Sequence, residues 1–270
     1  MSASAHAQGG FGDSAWGDAQ DFLDEDEDDG DYEQPPVTAG GLFTKDSYPV
    51  AEIERPLTIT EGIAELRASL DFDLSANRAF EVFYTRLSGR YGLRDHIELQ
   101  ASFDGLLSGE ISPLDVAGGR HQAAMSLGVE SAIAYDMVNL RATAEIPLRP
   151  ESTLDFALGV PVRYRVTSEL AIIAADRILT IHTDGRKPDL TLGLGALYQV
   201  LPDLAALARA EITLFEFNTD LDPIVPVTAA IQYSPNHLFD VGLEVAFGNL
   251  AASDGRFDQR FALLFGRLRL

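Results

Sequence analysis

Apolar and polar residues alternate one by one along most of the chain from about residue 62 onward. Residues 64–74 show the pattern most clearly. One face carries Ala64, Leu66, Ala68, Leu70, Phe72 and Leu74. The other face carries Glu65, Arg67, Ser69, Asp71 and Asp73. A helix would scatter these charges around its circumference, whereas a strand turns them all to one side, so the pattern predicts a β-strand.

The same period of two predicts further strands along the chain. Alternation is clear in residues 83–93, 97–107, 138–148, 154–166 and 204–214. It is weaker in residues 122–135, 190–200, 225–233, 239–249 and 259–270. Residues 170–182 alternate poorly because Asp176 and Arg177 are neighbours, which indicates a bulge or a strand end beyond the bilayer. The even total of about twelve predicts an all-β fold, a transmembrane antiparallel up-and-down β-barrel spanning residues 57–270.

Alternation alone fits either a soluble barrel with an apolar interior or a membrane barrel with an apolar exterior. The apolar face is thin in places, as at Ala206, Ala208 and Ala210, and lipid tails need no dense packing partner. Tyrosines also recur on the apolar face near the end of every second strand, before short turns. They are Tyr91, Tyr135, Tyr164, Tyr198 and Tyr233. A tyrosine ring at one rim is typical of a membrane-interface girdle, which favours the membrane barrel.

The connections differ between the two predicted rims. Those beside the tyrosines are tight, whereas the others are longer, as in residues 108–120, 183–189, 216–223 and 250–258. Short periplasmic turns and longer external loops are the usual asymmetry of bacterial barrels. We therefore expect an outer-membrane protein of a Gram-negative bacterium, surrounded by lipid, with both termini in the periplasm.

Residues 1–56 are predicted to be an acidic, largely disordered tail. Residues 1–36 contain eleven acidic and no basic residues, which is half of the net charge of −22. A calcium loop is not supported in residues 24–30, because the glycine is misplaced and the bidentate glutamate is missing. Ala5-His6-Ala7 has the small-x-small form of a signal-peptidase site. The tail is either a solvated leader or an electrostatic plug that enters the barrel from the periplasm.

The acidic balance argues against nucleic acid as a partner, since phosphate binding needs clustered lysine and arginine. Cysteine is absent, so the chain has no thiolate metal site and no cysteine nucleophile. No metal site, cofactor or catalytic residue is predicted. A lipase-type Ser–His pair would need a histidine within the bilayer, for which His121 and His182 are the candidates, but no motif supports either of them.

The predicted inner face carries charges of both signs. The candidate lumen residues are Arg67, Arg86, Arg90, Glu130, Arg141, Glu145, Arg163, Arg209, Glu211 and Glu244. They fit two interpretations: a constriction whose opposed charges filter small solutes, or a cross-strand ion-pair network that stiffens and fills a narrow lumen.

Residues 91–99, Tyr-Gly-Leu-Arg-Asp-His-Ile-Glu-Leu, resemble the turn of porin-like outer-membrane barrels, in which an aromatic-Gly-x-x-Asp enters a Glu-bearing strand. Such barrels usually end in an aromatic residue that the barrel assembly machinery recognises, whereas this chain ends in Leu270. The resemblance implies assembly by that machinery. The leading function is a passive channel, a narrow porin for small polar solutes. The alternative is a closed structural barrel that binds another envelope protein.

Overall fold

The computed structural model of the chain describes residues 43–74, 83–109, 124–134, 136–148, 153–218, 223–251 and 259–270. Within these ranges fourteen strands form one sheet. They are β1 (Ala64–Asp73), β2 (Phe83–Arg94), β3 (Ile97–Gly109), β4 (Ala124–Ala134), β5 (Val138–Pro147), β6 (Asp155–Gly159), β7 (Val162–Arg165), β8 (Leu170–Ala174), β9 (Leu179–His182), β10 (Asp189–Leu201), β11 (Leu204–Leu214), β12 (Val227–Asn236), β13 (Phe239–Phe247) and β14 (Arg260–Arg269).

The sheet closes on itself through antiparallel pairing of the first and last strands. β1 pairs with β14 from Glu65 opposite Arg269 to Asp73 opposite Phe261, and β1 also pairs with β2. β6 and β7 together make one passage across the barrel, and β8 and β9 make the next. The barrel therefore has twelve passages, which confirms the predicted fold class.

The passage made by β8 and β9 breaks where the sequence alternates poorly. Ala175 adopts a positive φ of 60° between the two strands, and residues 175–178 leave the regular ladder. The neighbouring passage accommodates the break at Gly159. A Cβ on Gly159 would lie 2.0 Å from the carbonyl oxygen of Asp176, so only glycine permits this close backbone approach.

The two faces of the barrel have opposite chemistry. Large apolar side chains on the outer face are exposed, among them Leu66, Leu127, Leu194, Ile231 and Leu264. Charged and polar side chains on the inner face are buried, among them Glu65, Glu98, Glu130, Asn139 and Asp240. An apolar exterior around a polar interior is the arrangement of a membrane barrel. Among the described residues, none of the helices has the length and apolar character to cross a bilayer.

The inner face of β14 is less polar than alternation predicts. Phe261, Leu263 and Phe265 are buried on the lumen side, while Leu264 is exposed on the other side. The guanidinium carbon of Arg67 lies 4.2 Å from the centroid of the Phe265 ring. Side chains that fill a narrow lumen can pack on one another, which explains why this strand is apolar on both faces.

The two rims differ as the sequence predicts. The rim called here the turn rim is where β2, β4, β7, β10 and β12 end and the following strands begin, together with the start of β1 and the end of β14. The opposite rim, called the loop rim, is where β1, β3, β5, β9, β11 and β13 end and the following strands begin.

Candidate functional site

Residues 43–63, here called the plug segment, contact inward-facing residues of the barrel at the turn rim. Tyr48, Ile53, Ile59 and Ile63 are each at most 3 % exposed. The structure thus places residues 43–56, which the sequence assigned to the tail, inside the barrel, because these apolar side chains find cover there. For residues 1–42, which lie outside the described residues, the tail remains a prediction.

The C-terminal part of the plug segment is fixed to the turn between β2 and β3. The amide of Gly62 donates to the carbonyl of Gly92 at 2.9 Å, and the amide of Gly92 donates to the carbonyl of Ile63 at 3.1 Å. The amide of Ile59 donates to the buried carboxylate of Glu98 at 2.6 Å. A Cβ on Gly92 would lie 2.1 Å from the carbonyl oxygen of Thr60. Glycine at this position therefore allows the plug segment to lie against the wall.

The N-terminal part of the plug segment reaches the other side of the lumen. Ile53 packs in one buried cluster with Ala171, Leu197 and Ala205, which lie on β8, β10 and β11. The amide of Ile53 also donates to the side-chain oxygen of Gln199 at 3.2 Å. Since β3 and β11 stand on opposite sides of the barrel in the strand order, the plug segment crosses the lumen.

Arg55 joins the plug segment to β13. Its two terminal nitrogens donate to the two carboxylate oxygens of Asp240, each at 2.9 Å, and one of them also donates to the hydroxyl of Ser234 at 3.2 Å. Its guanidinium group also donates to the carbonyls of Pro49 and Val50 at 3.0 and 2.8 Å. A bidentate arginine–carboxylate pair of this kind is strong and fixes orientation.

Glu52 makes the complementary contacts from the plug segment. Its carboxylate accepts a hydrogen bond from Gln232 at 2.7 Å, lies 3.3 Å from a guanidinium nitrogen of Arg267, and pairs with Arg55. Burial alone would raise the pKa of Glu52, but Arg267 and Arg55 outweigh burial and hold the pKa well below its ordinary value. Glu52, Arg55, Asp240 and Arg267 are called the latch below.

The wall beside the latch has its own ion pairs. Arg269 lies 3.0 Å from Glu65 and also pairs with Asp240. Arg90 lies 2.8 Å from Glu65 and 3.6 Å from Glu98. These residues therefore keep partners of opposite charge on the wall itself, apart from the contacts that the plug segment adds.

Tyr48 lies among these charges. The guanidinium carbon of Arg269 is 5.0 Å from the centroid of the Tyr48 ring, and that of Arg55 is 6.0 Å away. Phe43 packs edge-on against the same ring at 6.2 Å. Burial, with a smaller contribution from Glu65, raises the pKa of the Tyr48 hydroxyl above its ordinary value.

A second polar network lies on β3, β4 and β5. The carboxylate of Glu130 accepts hydrogen bonds from Arg141 at 2.7 Å, from Gln100 at 2.8 Å and from Asn139 at 2.5 Å. Glu130 and Asn139 are at most 1 % exposed. A buried carboxylate with several donors stiffens this part of the wall.

The predicted lumen charges lie on inner-face positions of their strands, and most have a charged or aromatic partner. Arg86 pairs with Asp104 at 2.8 Å, and Arg209 lies 2.6 Å from Asp176 and 3.8 Å from Glu211. Glu145 pairs with Arg177, and Arg163 donates to the carbonyl of Arg55. Glu244 lies on the inner face of β13, in register with Leu263 of β14. The charges are spread along the lumen, so their role as a constriction remains a prediction.

The charges also divide along the barrel axis. Near the turn rim the described strands present more basic than acidic residues inward: Arg67, Arg90, Arg141, Arg163, Arg165, Arg267 and Arg269 against Glu65, Glu98, Glu130 and Asp240. Near the loop rim acidic residues are in excess: Asp71, Asp73, Asp104, Glu145, Asp155, Asp176, Asp189, Glu211 and Glu244 against Arg86, Arg177 and Arg209. The lumen is therefore acidic toward the loop rim and basic toward the turn rim.

The predicted tyrosine girdle lies on the outer surface where it is described. Tyr91, Tyr164, Tyr198 and Tyr233 are 46–57 % exposed near the turn rim. Tyr135 lies outside the described residues. The girdle at a membrane interface remains a prediction.

Of the two histidines considered for a lipase-type pair, His121 lies outside the described residues. The two ring nitrogens of His182 lie 3.1 Å from Asp155 and 3.0 Å from Asp189, on the inner face near the loop rim. Among the described residues, no group of three or more potential ligands could hold a metal ion.

A closed barrel of twelve antiparallel passages, apolar outside and charged inside, has the fold of porin-like outer-membrane barrels. Solved structures agree with this fold. The chain is similar to the KdgM porin (TM-score 0.53, 9 % identity, covering 76 % of this chain and 98 % of that one). It is also similar to the NanC porin (TM-score 0.53, 10 % identity, covering 75 % and 98 %). No family model matches the sequence, and no curated protein matches it.

Proposed function

We propose that the protein is a narrow outer-membrane channel for small polar solutes, with both termini in the periplasm. The observation that carries this proposal is the charged inner face of a barrel whose fold resembles that of porins. A wall that serves only as structure could be filled with apolar side chains, whereas a path for polar solutes needs polar groups along its length.

The charge division along the axis favours cationic or neutral solutes at the loop rim. A porin of similar fold has been solved in complex with disordered oligogalacturonate. In this chain the inward charges near the loop rim are mainly acidic, so an acidic oligosaccharide would be repelled there. Charge of one sign in a low-dielectric cleft concentrates counterions, so we propose small cations as the favoured solutes.

Planar-bilayer recordings test this proposal. The full-length protein and the Arg55→Gln variant, in which the latch is weakened, are each recorded across a salt gradient. A steady current whose reversal potential indicates cation selectivity supports the proposal. A reversal potential that indicates anion selectivity overturns the choice of solute. If neither protein conducts, channel function is wrong.

The second candidate is a closed structural barrel, and the plug segment that crosses the lumen favours it. The two candidates differ in the Arg55→Gln variant, because a structural barrel stays electrically silent after the latch is weakened. We propose no enzymatic function. The structural neighbours are channel porins, and His182 is engaged by two carboxylates.

A further inference from the structure

We propose that residues 48–55 form a gate that leaves the lumen while residues 58–63 stay fixed at the turn rim. The inference rests on the proposed channel function, since a gate matters only where solutes pass. Four features of the plug segment support it: the division of its polar contacts with the wall, the wall ion pairs that persist without it, its small apolar contact with the wall and its lack of a backbone ladder.

The polar contacts between the plug segment and the wall divide at Leu57. On the C-terminal side, the hydroxyl of Thr58 donates to the carbonyl of Asp95 at 2.8 Å, and the amide of Glu61 donates to the carboxylate of the same residue at 3.1 Å. Together with the paired backbone bonds to Gly92, these contacts hold residues 58–63 to the β2–β3 turn. Residues 58–63 therefore form the fixed end.

On the N-terminal side, residues 48–55 have no strand pairing with the barrel. Their regular structure is a single 3-10 turn at Glu52–Glu54. Their contacts with the wall run through side chains, chiefly through Glu52, Ile53 and Arg55. Side-chain contacts can break one at a time without disturbing the hydrogen bonds between barrel strands, so this part can leave while the barrel stays intact.

Departure of the gate leaves the ion pairs of the wall beside the latch in place. Of the charges that contact the wall, the gate takes away one acid, Glu52, and one base, Arg55, whereas its second acid, Glu54, is exposed. The wall that remains holds three acids and three bases, which are Glu65, Glu98 and Asp240 with Arg90, Arg267 and Arg269. A buried charge that loses its partner is strongly destabilising, and these six residues keep partners of opposite charge. Arg163 does lose the carbonyl of Arg55 that accepts its hydrogen bond.

The apolar anchor of the gate is small. Ile53 lies in the cluster with Ala171, Leu197 and Ala205, and Ala51 packs against the same cluster. The other buried apolar residue of the gate, Tyr48, packs on Ile59 and Ile63 of the fixed end and not on this cluster. One isoleucine and one alanine against this part of the wall give limited hydrophobic stabilisation, so the latch contributes a large share of the free energy that holds the gate to the wall. Weakening the latch should therefore shift the balance between closed and open states.

A matched pair of substitutions tests the latch. Glu52→Gln and Glu54→Gln remove the same charge from the same turn, but Glu52 contacts Arg267 and Gln232 whereas Glu54 is exposed. In single-channel recordings of the full-length protein, we expect Glu52→Gln to raise the ratio of open to closed time about tenfold or more, since hydrogen bonds to charged groups are lost. Glu54→Gln should match the wild type. Equal ratios in both variants would overturn the proposal.

A reversible cross-link tests the movement itself and does not depend on weakening the fold. The chain has no cysteine, so the pair Ile53→Cys and Ala205→Cys introduces a single possible disulfide between the gate and β11. Once gel mobility confirms the bond, the oxidised protein should be silent, and reduction should restore current. The single-cysteine variants should be unaffected by oxidant.

The two proposals fail in different ways. If the cross-linked and reduced proteins conduct equally, the gate is wrong although the channel stands. If the wild type, Glu52→Gln and the reduced pair are all silent, the channel function itself is wrong, and the gate falls with it.

Discussion

Arg55 and Asp240, which are 185 positions apart in the chain, share two hydrogen bonds of 2.9 Å inside the lumen. Asp240 is fully buried and also faces Arg267 and Arg269. The single carboxylate is thus common to three guanidinium groups, one from the plug segment and two from the last strand.

We expect Asp240→Asn to destabilise the folded barrel far more than Arg55→Gln. The first change leaves three buried guanidinium groups short of a carboxylate, and loss of one member of a buried pair costs about 3–5 kcal/mol. The second change leaves Asp240 paired with Arg267 and Arg269. Urea unfolding in lipid vesicles measures both variants. Equal unfolding midpoints would show that Asp240 stabilises the plug segment and not the wall.

The assignment of faces predicts opposite tolerance at two adjacent positions of β4. Leu127 is 53 % exposed on the outer face, whereas the hydroxyl of Ser126 lies 2.7 Å from that of Ser102 on the inner face. An arginine toward lipid at mid-bilayer depth costs about 2–4 kcal/mol. Ser126→Arg instead places the charge beside Glu145, its register neighbour on β5. Insertion into vesicles should therefore fail mainly for Leu127→Arg, and the reverse result would mean that the faces are exchanged.

The sequence predicts the barrel well because the alternation of apolar and polar residues can be recognised within each strand separately. Each strand carries its own alternation, and the break at residues 175–178 coincides with Asp176 and Arg177, which a regular strand would turn to opposite faces. The apolar inner face of β14 is not predicted, because Phe261 and Phe265 look like outward residues unless the width of the lumen is known.

The contacts of residues 43–56 are missed for a different reason, although an electrostatic plug is one of the two alternatives that the sequence leaves open for the acidic tail. These contacts join residues far apart in the chain, as with Ile53 and Ala205, and a short segment without alternation resembles a leader. A signal does exist in retrospect. Tyr48, Ile53, Ile59 and Ile63 are apolar or aromatic residues in a segment assigned to an acidic tail, and their burial needs cover that a solvated tail lacks.

The fixed end of the plug segment depends on Gly92. We expect Gly92→Ala to displace residues 59–63 from the wall, because the new Cβ would lie 2.1 Å from the carbonyl oxygen of Thr60. Gly266→Ala is the matched control, since its Cβ would meet its nearest neighbour, Phe239, at an ordinary 3.8 Å. Limited proteolysis near residue 57 should increase for Gly92→Ala alone. Unchanged cleavage would show that the contacts of Thr58 and Ile59 suffice.

The tyrosine girdle can be tested by fluorescence. Trp16 is the single tryptophan, so Tyr198→Trp in a Trp16→Phe background reports one position on the outer surface. We expect lipids brominated near the headgroup to quench it more than lipids brominated at the chain end, because aromatic girdles lie at headgroup depth. Leu194→Trp, four residues deeper on the same face of β10, serves as the control and should show the opposite order. Stronger quenching of residue 198 by bromines at the chain end would show that Tyr198 is not part of a girdle at headgroup depth.

The latch predicts a gate that stays closed over a wide range of pH. The pKa of Glu52 is lowered below its ordinary 4.5, so its stabilising contribution is complete above about pH 4.5 and is lost as pH falls through the lowered value. The pKa of Tyr48 is raised above 10.0, so its contribution is complete below about pH 10 and is lost as pH rises through the raised value.

Open probability of the wild type should therefore be constant between these limits. In the Glu52→Gln variant the loss on the acid side should disappear. A wild-type opening midpoint at or above pH 4.5 would show that Arg267 and Arg55 do not hold the Glu52 carboxylate in its charged form.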